Sequence, residues 1–230
     1  MTITLYELAG TDPARPFSPH CWKVVLALAH KGLEFDRVAV PFTGVPEVEN
    51  HLGKIIPVLR DGDRVLNDSF NIALYLDEAY PDRPSLFGGG SGPAHARFVE
   101  AWALTQLHTA IGGRLLIDIH DRLDTEDQIY FRHSRETRFG KTLEEVVAAS
   151  QQRTEELSAR LEPMRVMIKH QPFIGGDSPL FVDYIVFGAF QWARVCSPQQ
   201  LLSADDPVNG WFERCLDLHG AVGRAVAAAA

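Results

Sequence analysis

Ser18 stands directly before a proline in the run Ser18-Pro19-His20-Cys21-Trp22-Lys23. Serine at an N-cap with proline at the first helical position opens a helix. The unpaired N–H groups and positive dipole end of such a helix favour an anion. A serine hydroxyl can donate to the same anion. A thiol bound there shifts toward thiolate. Free thiols titrate near ~8.5, so lowering by about two units makes the thiolate dominant at neutral pH. The plainer reading of Ser18 is a cap alone.

Pro57 heads an apolar run, Ile55-Ile56-Pro57-Val58-Leu59. Proline cannot donate to a strand ladder. It reads as an ordinary edge proline or as a cis proline that exposes the Ile56 backbone to an extended peptide. Asp68-Ser69 precedes a helical run. The pair reads as caps, or as a site where Ser69 holds a carboxylate and Asp68 an amine. Cys21, three residues after Ser18, reads as a reactive thiol or as a small core side chain. His20 reads as a lining residue or a semi-exposed polar residue. Phe98 and Trp102 read as one wall of a pocket or as core. Arg132, Arg135 and Arg138 recur at helical spacing. They read as contacts for an anionic ligand or as a solvated face paired with Glu126, Asp127 and Glu136. No His/Cys spacing suggests a metal, so none is expected.

The elements that must position these residues follow from periodicity. Ile3 to Leu8 reads as a strand with Ile3, Leu5 and Glu7 on one face. Trp22, Val25, Leu26 and Ala29 form a helical stripe that ends at Gly32. Phe35–Val40, Ile55–Leu59 and Arg64–Leu66 read as strands, with Asp61-Gly62 as a hairpin turn. A helix then runs from the Asp68-Ser69 caps to about Tyr80. The order β-α-β, then β-β-α, is a thioredoxin-like domain with a mixed four-stranded sheet. We place it at 1–81, followed by a Gly/Pro-rich linker at 82–93 and an all-α helical bundle at 94–230. Within the bundle, helices are expected over Ala94–Thr109, over Leu115–Ile119, from a capping box at Thr142 on to Ile168 with a bend at Pro163, over a buried segment Val182–Val195, and over Pro207–Leu218. The Ala-rich tail after Gly223 is expected to fray.

Composition narrows the function. The chain has 230 residues, 46% apolar and 23% charged, with a formal net charge of −8. That balance excludes the basic surface of a nucleic-acid binder. The apolar stretch Leu180–Cys196 is interrupted by Asp183, Gln191 and Arg194, so no membrane helix is expected. No secretory leader is legible before Asp12. Three scattered cysteines fit a reducing cytoplasm.

Taken together these motifs resemble the cytosolic glutathione transferases over essentially the whole chain. The residues that carry it are Ser18–Lys23, Ile56-Pro57-Val58-Leu59, Asp68-Ser69, Tyr75-Leu76-Asp77-Glu78-x-Tyr80-Pro81 and Gly175-Gly176-Asp177 with Val182-Asp183-Tyr184. A closer resemblance is to bacterial β-etherases that cleave lignin-derived aryl ethers, and to related fungal transferases. It rests on Ala27-Leu28-Ala29-His30-Lys31-Gly32, Pro81-Asp82-Arg83-Pro84 and Ser134-Arg135-Glu136-x-Arg138-Phe139-Gly140. The resemblance implies glutathione as co-substrate and a hydrophobic, aromatic electrophile as acceptor. It implies Ser18 at the glutathione sulfur, Ile56 beside cis-Pro57 at its cysteinyl backbone, Asp68 and Ser69 at its γ-glutamyl end, and Lys54 near its glycyl carboxylate. It further implies a cytoplasmic homodimer. Two other readings remain: a thiol-disulfide reductase using Cys21, and a non-catalytic carrier of hydrophobic ligands.

Overall fold

The computed structural model describes residues 2–49, 53, 55–152 and 154–229. Four strands form one mixed sheet in the order β2-β1-β3-β4, with β1 at Ile3–Leu8, β2 at Phe35–Val40, β3 at Val58–Asp61 and β4 at Arg64–Asn67. β1 and β2 run parallel, with Ile3 opposite Phe35; β3 runs antiparallel to β1, with Leu5 opposite Leu59. The parallel pair is bridged by α1, Pro19–His30, as a crossover requires, and the short α2, Val45–Val48, follows β2. The β3–β4 hairpin pairs Asp61 with Arg64, so its loop is Gly62-Asp63, and Gly62 takes the positive φ of 58° that such a turn demands. β3 begins three residues later than its apolar run suggests. The Ile56–Pro57 bond is cis, and proline offers no ladder donor at that point.

The stripe expected on α1 is too narrow. Every residue from Cys21 to Leu28 is buried, Lys23 included. The helix is covered by the sheet, by α3 (Ser69–Ala79) and by α11 (Phe181–Cys196). Both buried lysines find carboxylates: Lys23 Nζ lies 3.1 Å from Glu100 and Lys31 Nζ 2.6 Å from Asp77. The buried Glu7 of β1 is paired with Arg37 of β2. A Cβ on Gly188 of α11 would collide with the carbonyl oxygen of Pro19, so the two helices touch backbone to backbone at the first turn of α1.

The stretch between the domains is packed rather than loose. Leu86 and Phe87 are buried, and Phe87 lies 5.4 Å from Phe181 and 5.7 Å from Phe70, centroid to centroid. Asp77 accepts the Leu86 N–H at 2.8 Å.

From residue 92 onward the described residues form helices and connecting loops, with no strand beyond one isolated bridge, Phe173 with Gly176. The first expected helix divides into α4 (Gly92–Trp102), six residues of π-helical winding (Ala103–His108) and α5 (Thr109–Gly112). The short α6 (Leu116–His120) follows. Sequence periodicity had not marked α7, Thr125–Phe139, as an element; it carries only two buried residues, Asp127 and Phe131. The capping box at Thr142 is present with both halves, and it opens α8, Leu143–Gln151. The continuous helix expected from there to Ile168 is instead α8, α9 (Thr154–Arg160) and α10 (Glu162–Ile168), with Pro163 in the first turn of α10 rather than at a bend.

α11 is buried almost all round, as its composition demands. Leu180 at its N-cap has no polar side chain. Asp183 supplies the missing bonds: its carboxylate accepts the N–H groups of Ile174 (2.7 Å), Gly175 (2.9 Å) and Leu180 (3.0 Å), and the indole of Trp211 (2.9 Å). Trp211 belongs to α12, Pro207–Leu216.

The tail does not fray. Val226 is buried, Arg194 donates to its carbonyl at 2.8 Å, Ala229 N–H bonds to Arg194 O at 2.8 Å, and Arg15 reaches Ala227 O at 3.1 Å. Two arginines thus satisfy backbone that alanine side chains could not anchor. Among the described residues, no helix is long and apolar enough to cross a membrane.

Candidate functional site

Ser18 is the N-cap of α1, with φ −58° and ψ 126°. Its Oγ accepts the Cys21 N–H at 3.4 Å, which leaves the hydroxyl proton free to donate elsewhere. The loop before it is fixed by Phe17 N–H to Leu8 O at 3.0 Å and by Trp22 Nε1 to Pro16 O at 3.1 Å. Ser18 borders a cavity of about 1150 Å³ between the sheet domain and the helices.

The walls of that cavity differ from those the sequence suggests. Phe98 is 76% exposed, and neither it nor Trp102 lines the space. The aromatic wall is built from Phe42, Tyr130, Phe131, Phe139 and Trp192. Phe42 lies 5.4 Å from Phe131 and 6.1 Å from Tyr130, centroid to centroid. Asp127 holds Phe42 in place by accepting the N–H groups of Phe42 (2.6 Å) and Thr43 (2.8 Å). It therefore does not pair with the neighbouring arginines. Of those, Arg132 pairs with Glu136 and Glu144, whereas Arg135 and Arg138 line the cavity.

His20 is also a lining residue, with its ring 5.2 Å from that of His108. Burial, reinforced by Lys23, holds His20 well below the usual histidine range. The same two causes push His108 down to about 3. Both rings are neutral at physiological pH. His108 Nε2 is buried at the cavity with no hydrogen-bond partner among the described residues. Nothing in the residue pattern around His108 marks it for this place. The π-helical winding that turns it toward α1 has no residue signature.

Cys21 lies away from the cavity, fully buried against the core, and burial pushes its thiol up to about 12. A thiol-disulfide reaction needs an accessible thiolate, which this position does not supply. Cys196 and Cys215 are likewise buried and raised by burial.

Ile56 lines the cavity together with Ile55, and the adjoining Pro57 bond is cis. Asp68 has a positive φ of 65°, and its carboxylate caps α3 through Phe70 N–H (3.0 Å) and Asn71 N–H (2.9 Å). Ser69 is buried at the first position of α3. Neither Asp68 nor Ser69 borders the cavity itself. Lys54 lies outside the described residues.

Residues 17–79 match the family model described as glutathione S-transferase, N-terminal domain, and residues 94–218 match glutathione S-transferase, C-terminal domain. A glutathione S-transferase-like protein ustS of Aspergillus flavus is 29% identical over 91% of this chain and 87% of its own. Glutathione S-transferase Z1 of Arabidopsis thaliana is 42% identical, but over only 28% of this chain and 31% of its own length. Among solved structures, glutathione transferase GSTFuA3 of Phanerochaete chrysosporium superposes with a TM-score of 0.84 at 23% identity, over 96% of this chain and 97% of that one. A Ceriporiopsis subvermispora glutathione S-transferase solved in complex with glutathione gives 0.80 at 23% identity, over 96% and 97%. At such identities these two likenesses speak for the fold.

Proposed function

The chain belongs to the glutathione S-transferase family, and from that premise we propose that it activates glutathione as a thiolate at the start of α1 and transfers the sulfur to an aromatic electrophile in the adjoining cavity. The observation that carries this reading is the double position of Ser18, at once helix cap and cavity wall. Its hydroxyl donates to the glutathione sulfur. The N-terminus of α1 adds its dipole. Ile56 pairs through its backbone with the cysteinyl unit, and Asp68 and Ser69 hold the γ-glutamyl end. The aromatic wall stacks the acceptor against the nucleophile, so that the protein contributes alignment and charge stabilisation. A cytoplasmic homodimer completes the proposal.

In its finer form the reaction is β-aryl ether cleavage. The thiolate sulfur attacks the β-carbon, the C–S bond forms, the C–O bond breaks, and its electron pair leaves on a phenolate. The thiol proton passes to water or to that phenolate. Incubation with glutathione and an α-keto β-aryl ether, read by mass spectrometry, should yield the glutathione thioether and free phenol only when the protein is present. Absence of both would remove ether cleavage and leave the transferase reading to the thiolate absorbance of bound glutathione. Tight aryl binding without any glutathione affinity would favour a carrier instead.

A further inference from the structure

The three arginines of α7 end differently. Arg132 is neutralised by Glu136 at 3.0 Å and Glu144 at 3.0 Å. Arg135 and Arg138 turn to the cavity, and Lys141 joins them there. Among the described residues none of these three forms an ion pair, and Glu126 is the one carboxylate bordering the same space. A chain of net charge −8 thus lines its cavity with three cations against one anion.

Arg135 is the most constrained of the three. Its guanidinium lies 4.6 Å from the Phe131 ring centroid and 5.4 Å from that of Phe42. Its hydrogen bond in the structure goes to Ser134 Oγ at 2.9 Å, so most of its five N–H donors are uncommitted. Burial lowers its pKa, the Tyr130 hydroxyl offsets part of that, Arg138 adds to it, and no carboxylate contributes. A half-buried guanidinium held by two rings, without an acid, is preorganised for a planar anion.

We propose that Arg135 docks a carboxylate on the acceptor, so that the substrates of this site are aromatic electrophiles that also carry an acid group. The proposal rests on the transferase reading for its chemistry, but the docking itself does not require turnover. The ring of such an acceptor meets Phe42 and Tyr130, while its carboxylate meets the guanidinium fork.

The test compares 4-chloro-3-nitrobenzoate with 4-chloro-3-nitrobenzamide, from which the glutathione sulfur displaces chloride. Each rate is divided by its own uncatalysed rate, because the two substituents activate the ring unequally. KM should be about tenfold lower for the carboxylate, equivalent to ~1.4 kcal/mol. Arg135→Met should raise the carboxylate KM about tenfold, leave its kcat nearly unchanged and spare the amide, as expected for loss of a charge-assisted contact made equally in ground and transition states. Arg132→Met, on the same helix, should leave both substrates alone. Equal KM for the two acceptors, or an equal penalty on both in Arg135→Met, overturns the proposal. If neither acceptor is turned over, the transferase reading passes to the thiolate absorbance of bound glutathione. Quenching of tryptophan fluorescence from Trp192 then decides the docking: tighter binding of the benzoate than the benzamide, lost in Arg135→Met, sustains it, and equal binding ends it.

Discussion

At the scale of single residues, Ser18→Ala removes at once the acceptor for Cys21 N–H and the hydroxyl that the proposed function assigns to the glutathione sulfur. Losing one charge-assisted hydrogen bond costs roughly 1.5–3 kcal/mol, so kcat/KM for glutathione should fall by about tenfold to a hundredfold. The helix dipole remains, and some activity should remain with it. The check is the pH dependence of the bound thiolate's ultraviolet absorbance: an unshifted titration in Ser18→Ala would take the hydroxyl out of the mechanism. The caps at Ser18 and Asp68 and the special proline after Ile56 were legible because caps and prolines announce themselves locally. Phe42, Tyr130, Trp192 and His108 were not, since each reaches the cavity through tertiary packing that no short window of sequence contains. Arg135 was legible as part of a cluster but not as one of its unpaired members, which depends on where Glu136 and Glu144 fall in space.

At the scale of elements, the clearest dependency is the start of α11. Four donors converge on the fully buried Asp183 carboxylate. Burial pushes that carboxyl up while the four donors pull it down. Asp183→Ala leaves the donors unpaired and should lower stability by roughly 3–5 kcal/mol, readable as a drop in urea midpoint at unchanged m. A loss under about 1 kcal/mol would show that backbone rearrangement or water replaces the carboxylate. The element order of the first eighty residues followed from caps, alternation and turn residues. The helical half was harder. α7 exposes most of its length, so its periodicity is faint, and the break between α8 and α9 falls in a run of ordinary helix formers. The narrow stripe read on α1 failed for the opposite reason: a helix covered on both sides has no polar face to contrast.

At the scale of the whole molecule, one of the contacts joining the two halves is a tyrosine held between two histidines. Tyr184 of α11 has its hydroxyl 2.6 Å from His30 Nδ1 and 2.8 Å from His219 Nε2. Burial lowers His30 below 6.5, and burial with His30 nearby lowers His219 to about 4. The buried His20 and His108 shift in the same direction. In the unfolded chain these rings take up protons near 6.5, where the folded chain does not. Stability is therefore fully present above that value and is lost as pH falls from 6.5 toward 4. The urea midpoint should be flat at neutral pH and decline across that window, and His219→Gln should flatten part of the decline. A midpoint constant down to pH 4 would contradict the assignment. The contact of Gly188 with the Pro19 carbonyl bears on how such a protein can be recombined. A hybrid that joined this sheet domain to a foreign helical half would need glycine at the matching position of the incoming helix. Any larger residue would wedge the first turn of α1 outward and carry Ser18 with it. What looks like a modular pair is, at that one point, a matched set.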